Sequence, residues 1–457
     1  MLGHKLLMYF YRTEKIFQTF SKVMLKGYST LDPRYWYEAI KLFKGELRTM
    51  CSDSLLESPE LVKIINEKRK VDAVVMLGTC ASFLGHALDS PLITFSPAAP
   101  FSLHLTPGLG NPINPIIQPN VVAPFIEPMS FFERIANIFL ENLMEVYTTY
   151  VDSIQIESVR EQFGADVPDF HSIMAERSAL AFTNSHFVTH GSWPYYQNLV
   201  EIGGIHCKPG KPLPSDLKEF MDSHPEGVVY VSFGSALKPS QMEDSRKAVF
   251  RESFKELKDM PIIWKWDEDD LSGIPENVMV QKWLPQNDLL AHPNLKVFVT
   301  HGGLLSTQES LFHSIPLVGV PISNDQKPNL LRAERHGYAI MLSLQTMTKD
   351  ELVSAIRKAM TDPGMRDSIT KMHDLFTEYQ EDESPAKRAV RAVDYIIKHK
   401  GADFLKPRAT MSMPWYQERG FDILAFVLVI ASVFCFLVTK ICCCCLTRCC
   451  YKKSKQD

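Results

Sequence analysis

The sequence predicts an α/β fold with parallel sheets, arranged in two domains and followed by one membrane-spanning helix. Short apolar strands alternate with helical segments through the second half of the chain, which is typical of a parallel sheet with helices on both faces. A stretch at 207–214 has the Pro, Gly and Lys content of a linker between two halves. Near the end, residues 423–438 are almost wholly apolar, as a bilayer span requires.

The bulk composition fits a globular protein that is large enough for two cores. The chain has 457 residues, of which 45% are hydrophobic, and its formal net charge is −4. Nucleic-acid binding requires a basic field that this balance does not supply, so we expect no nucleic-acid partner.

The first half has few strands and one long loop. Residues 12–68 have the pattern of amphipathic helices, and the apolar run at 1–10 is too short for a secretory signal. The strands that we predict lie at 71–76, 91–95 and 178–185. The Pro-, Asn- and Gly-rich loop 96–128 is interpreted as one wall of a ligand pocket. Residues 131–159 fit a core helix, a pocket helix or a membrane-surface helix.

The second half alternates strand and helix more regularly. Its predicted strands lie at 227–233, 261–266, 278–280, 296–300, 317–320 and 339–342. Its predicted helices include 242–258, 349–360 and 386–398. This alternation predicts βαβ units, and therefore a parallel sheet.

The cysteines are unevenly distributed. Three lie in the body of the chain, at Cys51, Cys80 and Cys207, and we expect no disulfide framework from so few scattered positions. The tail contains Cys435, Cys442, Cys443, Cys444, Cys445, Cys449 and Cys450. The tail cluster lacks His and C-x-x-C spacing, which argues against zinc. S-palmitoylation and inert cysteines beside the membrane remain two equal alternatives for it.

Residues 298–329 are the most informative stretch. His301-Gly302-Gly303 follows a strand and leads into a helix, so free backbone N–H groups and the positive end of a helix dipole meet at one place. Asp325 and Gln326 follow the next strand. In an open parallel sheet both turns lie at the carboxyl edge, where ligands bind. The first turn suits a diphosphate and the second suits sugar hydroxyls.

The whole stretch resembles the signature of the UDP-glycosyltransferases, in particular the animal UDP-glucuronosyltransferases. The matching residues are Phe298, His301, Gly302, Gly303, Ser306, Glu309, Pro316, Pro321, Asp325, Gln326 and Asn329. Ser314 departs from the family, which usually has Gly there, and we expect little effect from this packing position. The resemblance runs from about Val71 to the C-terminus and is most specific from Gly204 onward.

The resemblance implies the GT-B fold, in which two Rossmann-like domains face each other across a cleft. Residues 1–205 would bind the acceptor and would lack the first strand of the domain, and residues 206–400 would bind the UDP-sugar. A juxtamembrane linker (401–420), a transmembrane helix (421–441) and a cytoplasmic tail (442–457) would follow. The implied reaction moves a hexosyl or glucuronosyl group from UDP to a hydroxyl of a small lipophilic acceptor, with inversion. It needs no metal and no other cofactor, since the UDP-sugar is a co-substrate.

The resemblance also assigns the positions that would bind the UDP-sugar. These are Ser235, Trp283, Gln286, His301, Gly302, Gly303, Ser306, Glu309, Asp325 and Gln326. Trp283 would stack on uracil, since an aromatic face suits a planar base. Glu309 would accept hydrogen bonds from the ribose hydroxyls, His301 and the two glycine amides would hold the diphosphate, and Asp325 with Gln326 would hold the sugar.

No catalytic residue can be assigned from the sequence. In the family, a His in the loop after the first strand deprotonates the acceptor, and an acidic residue after the strand matching 71–76 orients that His. We expect the His to lie upstream of this chain, which resembles an N-terminally truncated member, and we do not transfer the role to His4. Leu77 occupies the acidic position. A catalytically impaired UDP-sugar-binding member, or a truncated isoform, is therefore an alternative to an active transferase.

The C-terminal sequence predicts a single-pass protein of the endoplasmic reticulum membrane. Lys440, Arg448, Lys452, Lys453 and Lys455 accompany the apolar segment, which favours a cytoplasmic tail and a lumenal body. The last five residues resemble a dilysine retrieval signal. The expected partners are UDP-glucuronate or UDP-glucose, a small lipophilic acceptor and the membrane. Association with itself or with family members stays open.

Overall fold

The computed structural model describes residues 6–9, 29–45, 48–99, 108–111, 113–234, 241–268, 271–401, 403–418 and 420–453. The chain divides into two compact units, Met1–Lys406 and Pro407–Asp457. The first unit contains two parallel sheets. The second is helical in its described residues. The domain boundaries given above, at 205/206 and beyond, stay predictions.

The first sheet has five parallel strands in the order β1-β2-β3-β4-β5. They are β1 (Leu6–Tyr9), β2 (Ala73–Met76), β3 (Leu92–Ser96), β4 (Ser178–Thr183) and β5 (Leu199–Glu201). The prediction that the first strand lies at 71–76 was wrong, because β1 pairs with β2 in register from Leu6↔Ala73 to Tyr9↔Met76. A four-residue strand has little periodicity of its own, and its pairing with a distant segment decides its structure.

The helices of the first half are α1 (Pro33–Lys44), α2 (Met50–Leu56), α3 (Pro59–Asn66), α4 (Phe83–Ala87), α5 (Phe131–Phe163), α6 (Phe170–Arg177) and α7 (Phe187–His190). Helices α2 to α6 pack together on one face of the sheet, against Val74, Met76 and Leu92, whereas Val188 of α7 packs in a core of the second sheet. A capping box of Ser130 and Glu133 begins α5. Its Ile156 and Val159 are buried in the core, so the core alternative is confirmed for its inner face. Phe131, Phe132 and Phe139 are exposed, and the membrane alternative for this outer face stays open.

A disulfide joins Cys51 in α2 to Cys80 in the 3-10 turn Thr79–Ser82. The expectation of no disulfide framework was wrong for this pair. Two cysteines 29 residues apart do not form a motif that would identify a disulfide in the sequence. The fold brings α2 beside the turn that follows β2, and only this packing pairs the two sulfur atoms. Cys207 remains a free thiol.

The second sheet has six parallel strands in the order β11-β10-β9-β6-β7-β8. They are β6 (Val228–Ser232), β7 (Ile262–Lys265), β8 (Val278–Gln281), β9 (Leu295–Thr300), β10 (Leu317–Gly319) and β11 (Ala339–Met341). The chain builds outward from β6 to β8, returns to β9 beside β6, and then builds outward to β11. The strand order therefore reverses between β6 and β9, and the crevice beyond their carboxyl ends is the place where such sheets bind ligands.

Helices and apolar cores lie on both faces of the second sheet. The helices are α8 (Ser215–Asp222), α9 (Asp244–Glu256), α10 (Gln286–Leu290), α11 (Leu304–Phe312), α12 (Gln326–Arg335), α13 (Lys349–Thr361) and α14 (Pro363–Glu378). They are followed in the chain by α15 (Pro385–Lys398), which packs elsewhere. One core contains Val231, Trp264 and Val299, and the other contains Tyr230 and Phe298. Neighbouring strand residues point to opposite faces, which explains the near-continuous apolar runs.

The last helix of the first unit packs on the first sheet. Ile396 of α15 lies in one cluster with Ile93 and Phe182. The sequence placed this segment among the helices of the second half. Its amphipathic pattern indicates an apolar face but does not say which sheet that face covers.

The second unit contains α16 (Arg408–Ser412), α17 (Trp415–Glu418) and α18 (Phe421–Lys453). Within α18, Phe421–Cys443 is 23 residues long with a mean hydropathy of 2.8. Among the described residues this is the one helix that is long and apolar enough to cross a bilayer.

Candidate functional site

The site lies at the switch point of the second sheet, in the turns after β6 and β9. Gly234 and Gly303 both pack against the ring of His301: a Cβ atom at Gly234 would lie 2.8 Å from its Cε1, and one at Gly303 would lie 2.6 Å from its Nε2. A side chain at either position would displace the imidazole. Gly303 is also the N-cap of α11, so the helix begins directly beside this ring.

Only glycine fits at position 302, because of both its backbone conformation and its close neighbours. Its φ is +82°, and a Cβ atom would lie 2.4 Å from Leu330 Cγ. We expect Gly302→Ala to lower the free energy of unfolding by about 2 kcal/mol, from left-handed strain plus overpacking. Urea unfolding of the detergent-solubilised chain measures this. Gly273→Ala is the control, because Gly273 has φ +76° with nothing within 4 Å of a Cβ atom. Equal losses for both variants would show that the contact with Leu330 has no effect.

The His301 ring is uncharged at neutral pH. Burial, and secondarily the nearby Lys265 ammonium, lower its pKa to about 4. Its ring nitrogen Nδ1 lies 3.4 Å from the Thr300 hydroxyl. A ligand phosphate would therefore meet a hydrogen-bonding imidazole and the start of a helix, without a fixed charge on the ring.

A hydrogen-bonded group connects α10 with α11. Gln286 Nε2 donates to Ser306 Oγ at 3.0 Å and to Glu309 Oε2 at 2.6 Å. The Tyr230 hydroxyl donates to Gln286 Oε1 at 3.3 Å. Ser306 and Glu309 share one face of α11, because residues three apart on a helix are neighbours. Burial raises the pKa of Glu309, and the Gln286 hydrogen bond opposes that shift.

Trp283, three residues before Gln286 in the chain, offers an exposed aromatic face. The side chain is 71% exposed, although large aromatic residues usually bury most of their surface. Lys265 Nζ lies 4.7 Å from its ring centroid and donates to the Gly234 carbonyl at 2.9 Å. Lys265 was not among the site residues predicted from the sequence. Its position at the carboxyl end of β7 is the signal that could have identified it.

Asp325, Gln326 and Asn329 stabilise the turn after β10. Gln326 Oε1 accepts from the backbone N–H groups of Ile322 and Ser323 at 2.8 and 2.9 Å. Asn329 Nδ2 donates to Asp325 Oδ2 at 2.9 Å and to the Gly302 carbonyl at 3.1 Å. Burial raises the pKa of Asp325. This turn is therefore connected directly to the His301 turn, and the Gln326 amide nitrogen is the part of that side chain left to donate to a ligand.

Two more of the positions singled out in the sequence are Ser235 and Leu77. Ser235 lies outside the described residues. Leu77 follows β2 at the carboxyl edge of the first sheet, as expected for the position that is acidic in the family. A carboxyl group not singled out from the sequence lies close to it, because Asp152 of α5 accepts from the Thr79 hydroxyl at 2.7 Å. Burial raises the pKa of Asp152 to about 6.

Two parallel α/β sheets in one compact unit, with a glycine turn at the switch point of the second sheet, define a fold of the GT-B type. Solved GT-B structures are similar. Os79 from O. sativa in complex with UDP is 16% identical with a TM-score of 0.56, covering 86% of this chain and 100% of that one. A glycosyltransferase of kitacinnamycin has a TM-score of 0.52 at 17% identity, covering 88% and 100%.

The sequence comparison identifies the family. The model of the UDP-glucuronosyl and UDP-glucosyl transferases matches residues 10–456, so the chain belongs to this family. UDP-glucosyltransferase 2 of Dactylopius coccus is 32% identical over 402 residues, which cover 86% of this chain and 76% of that protein. Human UDP-glucuronosyltransferase 2B7 is 28% identical over 418 residues, covering 89% and 75%. The chain is a glycosyltransferase that uses a UDP-sugar donor.

Proposed function

We propose that this protein transfers a glucosyl or glucuronosyl group from UDP to a hydroxyl of a small lipophilic acceptor, with inversion and without a metal. The observation that carries this proposal is the hydrogen-bonded group of Gln286, Ser306 and Glu309, with the exposed ring of Trp283 three residues before Gln286 in the chain. A flat apolar face next to a buried carboxylate and an amide suits a base joined to a ribose.

The donor would extend across the switch point. Uracil stacks on Trp283 with Gln286 at its edge, and the two ribose hydroxyls donate to Glu309. The diphosphate lies against His301 and the amides of Gly302 and Gly303, with Ser235 contributing a hydroxyl. Asp325 and the Gln326 amide then reach the sugar. Lys265 would add a positive charge beside the diphosphate.

The proposed chemistry is one direct displacement. The acceptor oxygen forms a bond to the anomeric carbon while the bond from that carbon to the UDP oxygen breaks, so the configuration inverts. The hydroxyl proton leaves to a base. Fixed N–H donors at the His301 turn stabilise the negative charge that develops on the diphosphate, a role for which other enzymes use a cation. Turnover is therefore expected to continue in EDTA.

Calorimetry with UDP tests the donor site. We expect Trp283→Ala to weaken UDP binding about tenfold, since base stacking on an aromatic ring contributes roughly 1–3 kcal/mol. Phe132→Ala is the matched control, because Phe132 is also exposed but lies on α5. An unchanged dissociation constant in the Trp283 variant would remove the proposed base site, and absence of UDP binding by the unaltered chain would overturn the donor assignment.

Loop 96–128 lines a small cavity of about 30 Å³ through Ile113, Gln118, Asn120 and Val121. Most of the lining side chains are polar, and this volume holds a water molecule or two. We keep loop 96–128 as the proposed acceptor wall because of its length and its Pro, Asn and Gly content.

We also propose that the body is in the lumen of the endoplasmic reticulum. The disulfide between Cys51 and Cys80 suits an oxidising compartment. The basic residues after the candidate span suit a cytoplasmic tail. In sealed microsomes, maleimide labelling without detergent should spare Cys207 in the body. Its labelling there would contradict this orientation.

A second candidate is a UDP-sugar-binding protein that does not transfer sugar. Leu77 favours it, since a leucine cannot orient a histidine base. The two candidates differ in one measurement. Release of UDP from UDP-glucose or UDP-glucuronate, dependent on a hydroxyl acceptor, supports the transferase, and binding without release supports the second candidate.

A further inference from the structure

We propose that Gln308 is a positioning residue for the transfer reaction, whose buried amide fixes the donor helix α11 against the edge of the first sheet from which loop 96–128 begins. This inference rests on the proposed transfer to a hydroxyl acceptor and deepens it. Gln308 lies between Ser306 and Glu309 on α11 and is fully buried. Residues two apart on a helix do not face each other, so Gln308 leaves the helix on a different side from Ser306.

The Gln308 amide bonds to the first half of the chain through both of its polar atoms. Its Nε2 donates to the Asn184 carbonyl at 2.8 Å, and its Oε1 accepts from the Gly204 N–H at 3.3 Å. The same N–H also donates to Asn184 Oδ1 at 3.1 Å. Asn184 directly follows β4 and is buried as well. Breaking either bond of this amide would leave a buried polar group without a partner, so its position is well defined.

The segment that carries Gly204 is packed closely on its other sides. A Cβ atom at Gly203 would lie 2.4 Å from the Ser185 carbonyl oxygen, and one at Gly204 would lie 2.6 Å from Phe376 Cζ. Dense packing of this kind transmits displacements and does not absorb them. The segment therefore has little room to move away from Gln308.

Asn184 connects the Gln308 contact with the start of loop 96–128, the proposed acceptor wall. Its backbone N–H donates to the carbonyl of Ser96, the last residue of β3, at 3.0 Å. Its Nδ2 donates to the Pro97 carbonyl at 3.2 Å. The donor helix and the first residues of the loop are thus joined through two buried amide side chains.

The second helix of the donor site contacts the far end of the same loop. Arg332 of α12 donates to the Glu127 carboxylate from Nη2 at 2.9 Å and from Nε at 3.3 Å. Helices α11 and α12 begin at the turns that would hold the diphosphate and the sugar, so both ends of the loop are held by the donor site. The ion pair is partly exposed and salt screens it, whereas the Gln308 contact is buried and uncharged.

Direct displacement depends on the spacing that these contacts set. The acceptor oxygen must approach the anomeric carbon closely, and a misplacement of about 1 Å can slow such a step about 100-fold. The proposed contacts to uracil and ribose come from Trp283, Gln286 and Glu309, all in the second half of the chain. Loss of the Gln308 amide should therefore slow transfer and leave UDP binding almost unchanged.

Gln308→Met tests this by separating kcat from UDP binding. Methionine is similarly long and unbranched but has neither an N–H group nor a carbonyl oxygen. The full chain in detergent is assayed with UDP-glucose and UDP-glucuronate against a panel of lipophilic phenols and alcohols that includes 1-naphthol. Turnover is expressed per UDP-binding site, counted from the calorimetric stoichiometry, so that unfolded protein does not contribute. We expect kcat to fall about tenfold or more and the UDP dissociation constant to stay within about twofold.

Ser310→Ala is the matched control on the same helix. The Ser310 hydroxyl is buried and donates to the Ile315 carbonyl, so this variant loses a buried hydrogen bond within the second half alone. It should unfold at lower urea concentration, with kcat and UDP affinity within about twofold of the unaltered chain. Gln308→Asn is the second variant, for use if Gln308→Met does not fold. Its amide is one methylene short of the first half, and it should also lower kcat at unchanged UDP affinity.

Two results would overturn the role of Gln308 while the proposed transfer stands. One is an unchanged kcat in the Gln308 variants. The other is a loss of kcat that is matched by an equal loss of UDP affinity, or by an equal loss of kcat in Ser310→Ala, because either would indicate a general structural role. If the unaltered chain binds UDP but transfers sugar to no member of the panel, the proposed transfer fails, and this inference fails with it.

Discussion

Replacing Glu309 by alanine is expected to weaken UDP binding about 100-fold or more. Glu309 would accept two hydrogen bonds from the ribose, and each such bond to a charged group contributes roughly 1.5–3 kcal/mol. The change also removes the carboxylate that holds Gln286 at 2.6 Å, so the amide at the base edge loses its orientation. Calorimetry with UDP on the detergent-solubilised chain measures the effect.

Two companion variants define the cause of that loss. Glu309→Gln keeps the size and one accepting oxygen, and we expect it to recover part of the affinity, because its neutral amide is a weaker acceptor. Glu378→Ala, at the exposed end of α14, is the control and should bind UDP as the unaltered chain does. If Glu309→Ala binds UDP within threefold of the unaltered chain, the ribose is held elsewhere.

Removing the disulfide is expected to cost about 3 kcal/mol of unfolding free energy. Cys51 and Cys80 close a loop across 29 residues, and loop-closure entropy for this length gives roughly 3–4 kcal/mol. The link holds α2 to the turn after β2. We expect the double variant Cys51→Ala with Cys80→Ala to unfold at markedly lower urea concentration.

The free cysteine of the body supplies the matched comparison. Cys207→Ala removes a half-buried thiol without breaking a covalent link and should cost less than the double variant. The double variant should also be insensitive to dithiothreitol, whereas the unaltered chain should lose stability when it is reduced. Equal stability of the double variant and the unaltered chain would contradict the stabilising role of the bond.

The second sheet could be predicted from the sequence because its signals are local. Its central strands are short apolar runs that are buried on both faces of the sheet, as at Val231 and Phe298. Glycines at a strand end followed by a helix start are equally local, so the positions of Gly302, Gly303 and Glu309 could be identified. The family resemblance then associated them with UDP.

Other features depend on pairing between distant segments. Strand β1 pairs with β2 across more than sixty residues, and the disulfide depends on the packing of α2 against a turn. Lys265 joins the site because β7 ends beside Gly234. Neither the periodicity nor the composition of a segment indicates which distant segments it will contact. Those contacts depend on how the strands and helices are connected in the fold.

The amino-acid sequence was sufficient for the class of fold, the apolar span and the glycine turn at 301–303, because backbone propensity, burial period and glycine geometry act over a few residues. The tertiary structure alone decided what surrounds those elements. It placed α15 on the first sheet, set the neutral state of His301 through burial, and placed Gln308 against Asn184. Desolvation and side-chain contacts depend on every element that packs around a group, and therefore on the completed fold.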